Sequence, residues 1–278
     1  MAEEGKYIYC IIGANTEIVD RGSWIVDRTT NHESRITNHE LGPIGIGGRG
    51  DPVRTVGYHD LAAVVSDSPV MKYPISREYM MAHQLVMEKV MTDYAVLPVR
   101  FGTVAEGTAG LTPEERIQQQ VLKQRYAEFK NLLGEMKNKT ELGVKALWKN
   151  MDVIFQEIQR KSRAIQELKK RILSNRSSEA YGERVRIGEL VKTALEAKKA
   201  EEGETIVNAL KKLSVDYRIN KPFGNQMVIN AAFLIERSRE TEFDEHVNRL
   251  TTQLDGRMDF KYVGPVPPCN FVEIEIAW

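Results

Sequence analysis

The chain has 278 residues, 42% of them hydrophobic and 28% charged, with 39 Lys and Arg against 39 Asp and Glu, so its formal net charge is zero. At roughly 100–200 residues per domain this length makes one large or two ordinary domains. Without surplus cations to displace phosphate counterions, a general nucleic-acid binder is excluded and only a local basic patch could serve; the balance also removes long-range repulsion between copies.

No apolar run reaches the roughly 18–20 residues that span a bilayer. The opening Met1-Ala2-Glu3-Glu4-Gly5 is acidic and lacks the basic region of a secretory signal. Cys10 and Cys269 are too few and too far apart for a disulfide framework, and they match no zinc spacing. The expected setting is a reducing cytosol.

In chain order, Lys6-Tyr7-Ile8-Tyr9-Cys10-Ile11-Ile12 is a β-rich run ended by Gly13, and it predicts a strand. Residues 14–51 read as an inserted variable loop. They carry a direct repeat, Thr30-Asn31-His32-Glu33 and Thr37-Asn38-His39-Glu40, and close on Gly45-Ile46-Gly47-Gly48-Arg49-Gly50. Val53–Val56 and Asp60–Ser66 predict further strands. A helix follows over 76–94, with Ser76 as N-cap, Glu78 in the first turn and an apolar stripe at Met80, Met81, Leu85, Val86 or Met87, and Val90. Residues 95–104 read as extended, with Pro98 marking an edge or bulge. Thr112-Pro113-Glu114-Glu115 opens a second helix that runs to about Leu133.

Glu141–Trp148 predicts the first strand of a second unit. A long charged helical stretch follows over 151–213. Ile154, Ile158, Lys161, Ile165, Leu168 and Ile172 recur at 4-3-4-3-4 spacing, a heptad seam with one lysine in it. Asn175–Ser178 breaks the stretch, which therefore reads as an antiparallel helical hairpin. Strands at 215–219 and 227–236, a helix over 239–254, a strand at 258–263 and a closing strand at Phe271–Ile276 complete the chain. The expected fold is α+β in two domains. Residues 1–138 form an N-terminal α/β domain, and residues 139–278 form a C-terminal ferredoxin-like domain carrying the hairpin.

Few residues look chemical. Gly45-x-Gly47-x-x-Gly50 matches the dinucleotide string, but Asp51-Pro52 and a strand follow where a helix N-terminus is needed, so nucleotide binding is not expected. His32 and His39 beside Glu33 and Glu40 have no metal-ligand spacing behind them. Neither a catalytic residue, a cofactor nor a metal is expected. Arg100 lies in an otherwise apolar run. It could grip an anion, but an internal salt bridge, for instance to Glu78 or Glu88, is favoured. His83 reads as a hydrogen-bonded boundary residue, with no visible nucleophile to activate.

Several strings together resemble the gas vesicle protein F/L family (GvpF/GvpL), most nearly GvpF. They are Tyr7-Ile8-Tyr9, Asp60-Leu61-Ala62-Ala63-Val64-Val65, His83, Val96-Leu97-Pro98-Val99-Arg100-Phe101-Gly102-Thr103, Glu141-Leu142-Gly143-Val144-Lys145, and Gly264-Pro265-x-Pro267-Pro268 with Phe271-Val272. Two departures stand out: the insertion is longer than the family's usual loop, and Cys269 stands where the family commonly has Tyr. The resemblance implies a minor structural or accessory protein of gas vesicles, located in the cytoplasm and on the vesicle. It implies contact with the main shell protein, GvpA, and with other vesicle proteins, and no dealings with nucleic acid or lipid membrane. A soluble partner would cover the very hydrophobic shell protein by strand addition or by a helix in a groove. The candidate partner-binding residues are Pro98, Arg100 and Phe101 at one edge and Phe271, Ile274 and Ile276 on the closing strand, with the exposed face of the hairpin as a further surface. The rival readings are a ferredoxin-like small-molecule enzyme using Arg100 and His83, and an adaptor that self-associates through residues 151–213.

Overall fold

A computed structural model of the chain describes residues 4–13, 43–48, 50–69, 72–174 and 180–278. Most of the expected insertion, with its repeat, and the break at Asn175–Ser178 lie outside the described residues. The chain divides into two compact units, Met1–Glu141 with Val266–Trp278, and Leu142–Pro265. The C-terminal residues therefore group with the first unit and not with the second, which the sequence expectation extends over all of 139–278.

The first unit is built on β1 (Glu4–Gly13). It is flanked by β3 (Leu61–Pro69) on one side and by β4 (Val96–Pro98) and β5 (Val104–Ala105) on the other, all antiparallel to it; β2 (Val53–Tyr58) pairs with β3 at the edge. β2 and β3 form a hairpin in which Tyr58 faces Leu61 and His59, at φ 53, turns the chain. Tyr7 through Ile12 are all buried, so β1 is a central strand covered on both faces. Its pairing with β3 slips between Ile8 and Cys10. Such a bulge reverses the alternation of side chains. Tyr7 before it, Tyr9 within it, and Cys10 and Ile12 after it consequently join one core cluster under α1 (Arg77–Val90).

The cap of α1 is as expected: Ser76 accepts the Tyr79 N–H at 3.3 Å. Its buried face is not. His83, Val86, Met87 and Val90 face the core, while Met80, Met81 and Leu85 stand in solvent. The apolar stripe misplaced that face because a histidine with hydrogen-bond partners can replace an apolar residue in a core. The second helix is likewise divided. Thr112 and Glu115 form a reciprocal capping box for α2 (Pro113–Arg116), followed by a π-helical turn Ile117–Leu122 and then α3 (Tyr126–Met136). The π turn buries Ile117, Val121 and Leu122 and aims the Gln118 amide at the Gly57 carbonyl, 2.9 Å away.

The predicted closing strand is not a strand. Residues 271–278 are irregular except for a parallel bridge between Val99 and Ile274. Ile274 donates its N–H to the Pro98 carbonyl (2.8 Å) and accepts from the Arg100 N–H (3.0 Å). The Arg125 guanidinium donates to the Glu275 carbonyl, and Arg116 lies over the Trp278 ring at 4.4 Å. These bonds hold the segment against the first unit.

In the second unit, β6 (Lys139–Trp148) is followed by α4 (Met151–Lys161), α5 (Arg163–Ser174) and α6 (Ala180–Leu210). Then come β7 (Asp216–Ile219), β8 (Met227–Glu236), α7 (Glu240–Gln253) and β9 (Met258–Val266), with sheet order β7-β8-β6-β9. The heptad seam holds at Ile154, Ile158, Ile165 and Leu168, which are buried, but Lys161 is exposed. The helix breaks at Ser162, whose extended backbone ends α4 and whose hydroxyl accepts the Ile165 N–H to start α5. Gly203, in the middle of α6, has a packing reason: a Cβ there would come 3.5 Å from the Val228 carbonyl.

An ion network ties α4, α6 and the residue before β9 together. Arg257 takes both oxygens of Glu157 (2.9 Å each) and both of Glu202 (2.7 and 3.0 Å). Lys198 joins both acids, and the Trp148 indole N–H donates to Glu202 at 2.8 Å. Bidentate geometry on a planar guanidinium favours the ionised acids. The Glu157 carboxyl is accordingly held at about 2 against an ordinary 4.5, chiefly by the bond from Arg257.

Two outcomes are expected. Ile274→Ala lowers stability by about 2–4 kcal/mol, as for a buried branched side chain, in urea denaturation. Arg257→Ala costs about 1–3 kcal/mol. Because the folded pKa of Glu157 lies below the unfolded one, its contribution is complete above pH 4.5 and is lost as pH falls toward 2. Glu157→Gln should flatten that part of the acid melting profile.

Candidate functional site

The residues singled out in the sequence divide between interior and surface of the first unit. Pro98 and Ile274 are buried and bonded to one another, so the two edges proposed separately for strand addition occupy each other. Phe101, Phe271 and Ile276 are half-buried. The Arg100 side chain is 62% exposed and pairs with Glu275 at 3.0 Å. The salt bridge found is an exposed one to the C-terminal segment, not the internal bridge to a neighbouring helix that Glu78 or Glu88 would make. Long-range pairing of this kind leaves no mark at fixed sequence spacing.

His83 lies under β1. Its Nδ1 meets the Tyr7 hydroxyl at 3.0 Å, its ring stacks on Tyr9 (centroids 5.7 Å, interplanar 25°), and Phe101 meets it edge-on. Burial pushes its pKa down to about 4, against the opposing pull of a backbone hydrogen bond at Val99. The imidazole is therefore neutral at physiological pH. Around it the hydroxyls are satisfied. Gly102 N–H donates to the Tyr7 oxygen (3.0 Å), and Ile46 N–H donates to the Tyr9 oxygen (2.8 Å). Tyr9 also bonds Ser66 (2.8 Å), and Ser68 bonds Tyr73 (2.5 Å). Desolvation holds both tyrosines protonated, Tyr9 at about 12. Burial pushes the Cys10 thiol up as well, away from the thiolate that cysteine chemistry requires, whereas Cys269 is exposed. This arrangement positions backbone and holds α1. Buried His83 and exposed, paired Arg100 do not converge on one reacting atom.

The glycine string makes a turn. Gly45 N–H donates to the Asp51 carbonyl (2.9 Å), a Cβ at Gly45 would strike that oxygen, and β2 follows directly. No helix N-terminus faces it among the described residues. No group of three or more His, Cys, Asp or Glu able to hold a metal is found there either. His32 and His39 lie outside the described residues. No described helix is long and apolar enough to cross a membrane.

What the first unit does offer is an exposed apolar surface on α1. Met81 and Leu85 are one turn apart on the face of α1 opposite His83, Val86, Met87 and Val90. They are 57% and 45% exposed, with Met80 beside them and Ile75 at 88% just before the helix. Methionine side chains are flexible and polarisable, and they suit surfaces that adapt to an apolar partner. Fold and site together define a mixed helix-and-sheet protein with an exposed apolar face on α1.

Comparison with known proteins identifies the class more closely. The family model for the gas vesicle synthesis protein GvpL/GvpF matches residues 5–273. Gas vesicle protein F of a Streptomyces species is 31% identical over 231 residues, covering 82% of this chain and 91% of that one. The Microcystis aeruginosa protein of the same name is 24% identical, over 81% and 89%. The crystal structure of GvpF from Anabaena sp. PCC7120 superposes with a TM-score of 0.73 at 22% identity, over 98% of this chain and 99% of that one, and shares the fold. The chain belongs to the GvpL/GvpF family of gas vesicle proteins.

The depressed His83 pKa has a direct consequence. A histidine that is neutral when folded and ordinary when unfolded contributes stability that is present above pH 6.5 and is lost as pH falls toward 4. Thermal melts over that window should fall by about 3 kcal/mol at most. His83→Phe should remove this slope.

Proposed function

We propose that this chain binds the major gas vesicle shell protein, GvpA, and supports vesicle assembly in the cytoplasm as an accessory or minor structural component, without catalysis. Membership of the GvpL/GvpF family carries the gas vesicle role. The observation that carries the binding role is the exposed face of α1. An apolar patch on a water-facing helix is costly unless something covers it, and such patches mark interaction sites. A hydrophobic shell protein is a suitable occupant, and the His83–Tyr7 contact anchors α1 from beneath. Arg100, Phe101, Phe271 and Ile276 retain exposed surface that could extend the contact; Pro98 and Ile274 do not. In the second unit, the β-α-β-β-α-β order, with helices added to the first crossover and strand order β7-β8-β6-β9, supports a ferredoxin-like reading.

The test is co-expression of the tagged chain with GvpA. Met81→Glu with Leu85→Glu should abolish co-purification and reduce the yield of buoyant vesicles. The melting temperature should stay within a few degrees, because both side chains already face water. Undiminished co-purification would remove α1 as the contact.

A further inference from the structure

The outer strand of the second sheet combines exposed apolar side chains with a backbone edge that its own charged side chains close. With sheet order β7-β8-β6-β9, β7 pairs only with β8 among the described residues. Asn220 donates its N–H to the Asn230 carbonyl (2.7 Å), one step beyond the register pair Ile219–Ala231. Bonded pairs alternate along an antiparallel ladder, so the backbone groups of Arg218 and Asp216 also face β8, and those of Tyr217 and Ile219 turn outward. At Tyr217 both outward groups are met from within the strand. Its N–H donates to Asp216 Oδ1 (2.8 Å), and the Arg218 guanidinium donates to its carbonyl (3.4 Å). Arg218 and Asp216 are themselves paired at 3.0 Å. Val215, Tyr217 and Ile219 are 54%, 37% and 60% exposed.

This strand is complementary to itself. Side chains alternate between faces, so Asp216 and Arg218 share one face and Tyr217 and Ile219 the other. A second β7 laid antiparallel on the outer edge, with Tyr217 opposite Tyr217, places Asp216 opposite Arg218 of the second copy and Arg218 opposite its Asp216. Val215 then falls opposite Ile219. Opposite charges and apolar pairs directly across a ladder stabilise it. Each polar contact within the strand also has a like replacement across the seam: the two Tyr217 residues exchange N–H and C=O, and Asp216 and Arg218 exchange partners between copies. The zero net charge of the chain sets no long-range repulsion against this. The opposite edge of the sheet differs, because β9 carries Pro265, which has no N–H to offer a further strand.

We propose that β7 is the seam of a two-fold dimer of this chain, in which the outer strands of two copies pair antiparallel about Tyr217 and join their sheets. A two-fold axis requires the same patch to fit itself, and this strand does so in charge, in apolar content and in backbone polarity. A strand of another protein would have to supply a cation, an apolar residue and an anion in the matching reverse order. The inference goes beyond the shell-protein reading and does not rest on it, since it concerns a strand of the second unit and leaves Met81 and Leu85 untouched.

The experiment is sedimentation equilibrium of the full chain, which should show a concentration-dependent monomer–dimer equilibrium. Asp216→Arg and Arg218→Asp each set like charges across the seam, and each alone should weaken dimerisation at least about tenfold. The two single variants mixed together should form a heterodimer, and the chain carrying both changes should recover its own dimer. A merely destabilised fold would do neither. With Cys269→Ser removing the exposed thiol, Tyr217→Cys should cross-link two copies under copper phenanthroline, because facing residues of a bonded pair lie about 5.5 Å apart at Cα. Arg218→Cys should not, because Asp216 faces it. The proposal is overturned if the chain is monomeric up to its solubility limit, if the single reversals leave a dimer intact, if the exchanged charges do not restore it, or if position 218 cross-links as readily as 217. It is equally overturned if the chain stays monomeric and Asp216→Arg instead abolishes co-purification of GvpA, which would give this edge to a strand of that protein.

Discussion

Two tyrosine hydroxyls buried beneath a central strand set the terms for the first unit. A buried hydroxyl without a partner costs a few kcal/mol, so Tyr7 and Tyr9 can lie at zero exposure only if their neighbours are supplied. Tyr7 is met by His83 from α1 and by the Gly102 N–H beyond β4. Tyr9 is met by Ser66 from β3 and by the Ile46 N–H from the loop before β2. Each hydroxyl thereby joins segments far apart in sequence. The β-bulge in β1 is part of the same solution, because it returns Cys10 and Ile12 to the face that the tyrosines occupy.

That network decides which side of α1 is inside. With His83 drawn to Tyr7, the helix is turned so that Val86, Met87 and Val90 follow it into the core and Met81 and Leu85 are left outside. The exposed apolar face of α1 is thus a by-product of how a polar group is satisfied. The C-terminal segment makes a parallel case. By bonding Pro98 and Arg100 through Ile274 it closes the sheet edge that a partner strand would otherwise use, as edge strands generally need to be closed. The exposed apolar surface of this unit consequently lies on a helix face.

The second unit relies on charge where the first relies on neutral hydroxyls. Arg257, Glu157, Glu202 and Lys198 are only partly buried, so they avoid most of the desolvation cost of a buried ion pair while retaining bidentate geometry. They fix α4 and α6 at the base of the hairpin. Farther along it, Arg163 and Arg171 each form a single ion pair, with Glu167 and Glu183.

Much that depends on local chemistry was legible in the residues alone. The Ser76 cap, the Thr112–Glu115 box, the buried β-rich run at Lys6–Ile12 and the heptad positions Ile154 to Leu168 each follow from side chains within one or two turns of each other. The family was legible too, because strings such as Val96–Thr103 occur in a fixed order along the chain. What only the tertiary structure decided depends on partners distant in sequence. His83 became a core residue because Tyr7 lies above it, Phe271–Ile276 gave up strand form to bond Pro98 and Arg100, and Arg100 found Glu275. Ser162 divided into two helices a stretch that periodicity alone would have continued as one, while the seam itself held. Apolar spacing shows that a helix has a face, but it does not show which face a buried hydrogen bond will turn inward.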